Sequence, residues 1–92
     1  MPQVFKIGPY LVYFWSDEQE PLEPVHVHVS QGILQRDATK VWVTKGGGAL
    51  LCHNKSQIPA HVLRNIMDAI EVRHDDIISR WLRHFEEATF YC

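Results

Sequence analysis

His26-Val27-His28-Val29 sets two imidazoles two residues apart in an alternating run. In a strand, residues i and i+2 share a face. His26, His28 and Ser30 therefore line one side, and Val25, Val27 and Val29 the other. The two histidines are separated by roughly 6.5–7 Å of backbone rise, close enough for both rings to converge on a metal ion, a phosphate or a water.

Two chemistries fit such a pair. A zinc-type site needs at least one further protein ligand. His53, Glu23 and His61 are available, and His26, His28 and His53 around a divalent metal form the candidate set. Alternatively, one neutral and one protonated imidazole act as base and acid near neutral pH. Lys40, with Lys55 or Arg36 as substitutes, would then hold a phosphate, as in a metal-free ribonuclease; the candidate catalytic residues are His26, His28 and Lys40. The plainer reading is a pair of hydrogen-bonded or solvent-facing strand histidines.

Strands must position this pair. Val4-Phe5-Lys6-Ile7 reads as a first strand, broken by Gly8-Pro9. Tyr10 to Trp15 is β-branched and aromatic throughout, and apolar on both faces. Such a strand expects cover on both sides, from helices on one and a partner subunit on the other. An acidic loop with two prolines follows over residues 16–24, then the histidine strand over about 25–30. Residues 31–38 read as an irregular connection. Thr39 to Thr44 alternates as a fourth strand, and Ala49 to His53 makes a fifth. Lys45-Gly46-Gly47-Gly48 between them lacks the order of a phosphate loop and is a turn.

The period changes after Asn54-Lys55-Ser56. Val62, Leu63, Ile66, Met67 and Ile70 recur at helical spacing, and Pro59 suits a first turn. His74-Asp75-Asp76 interrupts the stripe, as a kink or as a new helix capped by an aspartate. Ile77, Ile78, Trp81, Leu82 and Phe85 form a second stripe, with Trp81 and Phe85 as a core anchor. Arg64, Arg73, Arg80 and Arg83 with Asp68, Glu71, Glu86 and Glu87 read as a solvated helix face. The expected fold is α+β: an antiparallel meander of four to five strands over about residues 3–53. One kinked helix or two helices over about 59–88 then pack on one sheet face.

The 92 residues make one domain, 1–92, with a modest core that dimerisation would help. A net charge of -2 argues against broad electrostatic capture of RNA or DNA. Aromatics such as Trp42 and Tyr10 to Trp15 could stack bases, but at strand spacing they read as core or interface. Two cysteines, Cys52 and Cys92, make no disulfide framework. No signal-peptide pattern and no membrane-spanning run is present, so the expected location is the cytoplasm and no membrane partner is expected.

Several segments carry a family likeness. They are Met1-Pro2-x-Val4-Phe5-x-Ile7, Glu23-Pro24-x-His26-Val27-His28-Val29, Lys40-Val41-Trp42-Val43, Asn54, and Trp81-x-x-x-Phe85. Together they resemble a large group of small bacterial proteins known as a domain of unknown function, over nearly the whole chain. The chain departs from that pattern at Val25, where a second proline is common. The resemblance implies one half of a two-gene module with a toxin–antitoxin-like or defence-linked role, and hence a protein partner encoded nearby.

Overall fold

A computed structural model describes residues 3–16 and 23–92. Five strands are followed by two helices: β1 (Gln3–Ile7), β2 (Tyr10–Tyr13), β3 (His26–Gln31), β4 (Thr39–Val43), β5 (Ala49–His53), α1 (Ala60–Val72) and α2 (His74–Phe85). The strands form one antiparallel sheet in the order β1-β2-β3-β4-β5, so each pairs with its neighbours in sequence. This is the expected α+β meander. The acidic loop between β2 and β3 falls largely outside the described residues.

The alternation of β3 and β4 decides which face meets the helices. Val25, Val27, Val29, Val41 and Val43 are buried in one apolar cluster with Leu63, Ile66 and Ile70 of α1 and Ile77 and Trp81 of α2. Burying each such side chain contributes about 1.5–3 kcal/mol relative to leaving it in water. Val12 and Phe14 extend the cluster, and the Trp81 indole lies 5.1 Å from the Phe14 ring and 4.6 Å from the Phe85 ring.

Asn54 joins sheet to helices. Its Oδ1 accepts from the Thr39 hydroxyl at 2.7 Å and from the Ile58 N–H at 3.0 Å, and its Nδ2 donates to the Ile58 carbonyl at 2.9 Å. Ser56 and Thr39 exchange backbone-to-hydroxyl bonds of 3.0 and 3.1 Å beside it. One amide side chain thus satisfies a buried strand hydroxyl and shapes the turn that reverses the chain into α1.

The interruption after α1 is a true break. Arg73, at φ -103° and ψ 16°, is the single residue between the helices. No aspartate caps α2; Asp75 and Asp76 lie inside its first turn, where the helix dipole favours negative charge. Pro59 is the N-cap of α1, one position before its first helical residue. Of the glycines between β4 and β5, Gly47 has φ +90°, and a Cβ there would lie 2.8 Å from the His74 ring. The turn is therefore docked on the start of α2, which only glycine permits.

Candidate functional site

His26 and His28 lie on the sheet face opposite the valine cluster, with ring centroids 5.2 Å apart at 87°. Register places them in two cross-strand rows. Tyr13, His28, Lys40 and His53 follow one another across β2, β3, β4 and β5, while His26 lies opposite Trp42. Neither imidazole faces water: His26 is 1% and His28 7% exposed.

Several parts of the chain provide this cover. The His26 ring meets Trp42 and Trp81 edge-on at 5.8 and 5.3 Å, although Trp81 belongs to α2. His28 stacks on Tyr13 at 5.9 Å. The Tyr13 hydroxyl donates to the Gln35 carbonyl at 2.6 Å and accepts from the Gln35 N–H at 3.0 Å. The connection between β3 and β4 is thereby clamped to the sheet. The segment after α2 turns back as well: Thr89 accepts from the Val25 N–H at 2.9 Å, Cys92 from the Lys45 N–H at 3.1 Å, and Tyr91 stacks on Trp42 at 5.0 Å.

Both rings are bonded through Nδ1, His26 to the Pro24 carbonyl at 2.9 Å and His28 to the Ala38 carbonyl at 3.3 Å. A carbonyl oxygen only accepts, so Nδ1 carries the proton in each neutral ring and Nε2 is the basic nitrogen. Burial pushes the pKa of His26 down to about 4, against a smaller upward pull from the Pro24 carbonyl. Burial also lowers that of His28, with Lys40 and His53 adding to it. At neutral pH both rings are uncharged, so the pair holds two bases and no imidazolium acid.

The candidate cations are spread apart. Lys40 forms an ion pair with the Glu23 carboxylate and lies 4.5 Å from the Trp42 ring centre. Arg36 lies over the Trp15 ring at 4.0 Å, and Lys55 pairs with Asp37 at 3.2 Å on the surface. His53 is half-buried at the end of its row, and His61 is exposed on α1. Among the described residues, no three His, Cys, Asp or Glu side chains are gathered so as to hold a metal ion. The two strand histidines are brought together, and the third ligand is not.

Sequence reasoning missed the covering parts: Gln35 under Tyr13, Trp81 against His26, and Tyr91 on Trp42. A signal existed for the last, since Phe90 and Tyr91 are aromatics beyond the helical stripe.

A family model described as a domain of unknown function (DUF4160) matches residues 10–82, a span that runs from β2 to the Trp81 anchor. No curated protein and no solved structure matches the chain. Among the described residues, no helix is long and apolar enough to cross a membrane.

Proposed function

The chain belongs to the DUF4160 family of unknown function, and from that premise we propose that it is a protein-interaction component of a two-gene, toxin–antitoxin-like module of the cytoplasm. One observation carries this reading: the distribution of chemistry and apolar surface is inverted relative to an enzyme. The histidine pair is sealed inside, while Ile33, Leu34, Leu50, Leu51, Val72, Leu82 and Tyr91 stand exposed. An active site needs its bases within reach of substrate, whereas Leu50 and Leu51 stand next to each other on the edge strand β5, where a partner chain can cover them. The test is co-expression with the product of the adjacent gene. Co-elution of the two at fixed stoichiometry is expected; separate elution of two folded proteins would overturn the reading.

A second reading, a small nuclease or metal-binding enzyme using His26 and His28, is favoured by one observation. Lys40 lies directly opposite His28 on β3 and His53 on β5, so a cationic residue stands between two histidines in the strand register. It predicts toxicity on expression that His26→Ala or His28→Ala abolishes, and bound metal in the purified protein if the site is a metal site. Unchanged toxicity in a folded double variant, with no metal present, removes it.

A further inference from the structure

The two edges of the sheet are finished differently. β1 carries the exposed Lys6, and the Arg73 guanidinium covers Phe5 at 4.8 Å. Lysine on an edge strand is a common device against further strand pairing. β5, at the other edge, reads Ala49-Leu50-Leu51-Cys52-His53 and contains no lysine, arginine or carboxylate. Leu50 is 41% and Leu51 44% exposed. Consecutive strand residues point to opposite faces, so this edge is apolar and open on both sides.

Among the described residues, the outward backbone of this edge is capped at one position only. The Val43 N–H is bonded to Val25 on the β3 side, so the Val43–Ala49 pair is a non-hydrogen-bonded one and the Ala49 N–H points away from β4. That donor is taken by the Glu71 carboxylate of α1 at 3.2 Å. Leu51 lies opposite Val41, two residues along the same ladder, so alternation turns its N–H and carbonyl outward as well. The α1 residues Ala60, Leu63, Arg64, Met67, Asp68 and Glu71 line a shallow depression of about 320 Å³, joined to β5 at the Glu71–Ala49 bond. Its floor is apolar and its rim is charged, with the cation N-terminal to both acids.

We propose that this edge pairs with the same edge of a second copy, antiparallel about a two-fold axis at Leu51. Leu51 then faces Leu51 of the second copy and Leu50 faces its Cys52, so no like charges oppose each other. The two α1 helices lie antiparallel on one face of a continued ten-stranded sheet. Reversal of direction sets Arg64 of each copy against Asp68 and Glu71 of the other, and Glu71 exchanges the Ala49 N–H for that guanidinium. This self-complementarity in charge is what selects a second copy as the occupant. Cys52 is an extra residue relative to β4, where the register shifts, so the new pairing is short and the dimer depends on concentration.

Leu50 and Leu51 also belong to the apolar surface on which the two-gene reading rests, so the test is built to separate the two. Light scattering and sedimentation of the full chain over a wide concentration range should show a species of twice the 10.7 kDa monomer mass that grows with concentration. Leu51→Lys, at an exposed position, should give a folded monomer. Arg64→Glu should weaken the dimer about tenfold or more, and Arg64→Glu with Glu71→Arg should restore it. As a second arm, Leu51→Cys with Cys52→Ser and Cys92→Ser should form an intermolecular disulfide on mild oxidation, because directly opposed hydrogen-bonded strand residues have Cα atoms about 5.5 Å apart. A monomer at every concentration overturns the proposal, as does a dimer unaffected by Leu51→Lys. A monomer that binds the neighbouring gene's product through this edge overturns it too, while leaving the module reading intact.

Discussion

The Tyr91 ring lies flat on the Trp42 indole, with centroids 5.0 Å apart and planes 4° from parallel. Trp42 is directly opposite His26 on β3, so this stack covers the row that holds His26 and not the row that holds His28. Aromatic pairs of this kind contribute about 0.5–1.5 kcal/mol beyond their buried area. Tyr91 is 62% exposed, which places the pair at the lower end. A double-mutant cycle of Trp42→Ala and Tyr91→Ala, read by thermal melts, should return a coupling of about 0.5 kcal/mol. Zero coupling would mean that the stack forms without holding anything.

Acid should destabilise the protein through His26. Its pKa is about 4 in the fold and 6.5 in the unfolded chain. Between these values the unfolded state binds the proton and the native state does not, so stability falls as pH falls from about 6.5 to about 4 and changes no further on this account below that. At about 1.36 kcal/mol per unit, His26 alone withdraws roughly 3 kcal/mol. His28 acts in the same direction. Urea midpoints at pH 7 and pH 4.5 measure the loss, and His26→Gln should flatten the dependence. An unchanged slope in that variant would place the acid sensitivity elsewhere.

Trp81→Ala should be the most damaging single truncation. The side chain is fully buried between Phe14, Phe85 and His26. Its loss costs about 3–5 kcal/mol, from a total of about 5–15 kcal/mol for a domain of ordinary stability. Trp81→Phe should cost less, since it keeps an aromatic ring and removes an indole N–H with no acceptor among the described residues. His28→Ala, which loses a smaller ring and one long hydrogen bond, should fall below Trp81→Ala in thermal melts. The reverse order would make His28 the more important core residue.

Gly47→Ala and Gly46→Ala form a matched pair. The first places a Cβ 2.8 Å from the His74 ring at φ +90°, and the second meets nothing within 4 Å. The Gly47 variant should lose more than about 1 kcal/mol, while the Gly46 variant stays within about 0.5 kcal/mol of the parent. Equal melting temperatures would show that the turn is not docked on α2.

The parts of the fold set by local pattern were legible in the sequence. Val25, Val27 and Val29 on one side and His26 and His28 on the other follow from strand geometry alone. The stripe from Val62 to Ile70 needs only the helical repeat. The exposure of the other sheet face was not legible, because it depends on segments distant in sequence. Alternation says that the histidines oppose the valines. It does not say that Trp81, more than fifty positions later, reaches the His26 ring, or that Gln35 settles on Tyr13. Asn54 was visible as a change of period, but its three bonds to Thr39 and Ile58 come from side-chain geometry that no spacing encodes. For the same reason a pair that reads as reactive in one dimension lies in the interior in three.

The strictly sequential strand order has a consequence for how the chain acquires its shape. Every strand pairing joins neighbours along the chain, so the sheet needs no long loop closed before its first contacts form, and such topologies fold fast for their size. During synthesis the strands leave the ribosome in the order in which they pair. The helices that cover the valine face come last. Translation adds roughly 5–20 residues per second, so a few seconds separate the completion of β5 from the arrival of Trp81. Over that interval the valines of β3 and β4 are the nascent chain's most adhesive surface, and a chaperone that engages it would hold the paired strands open until α2 displaces it.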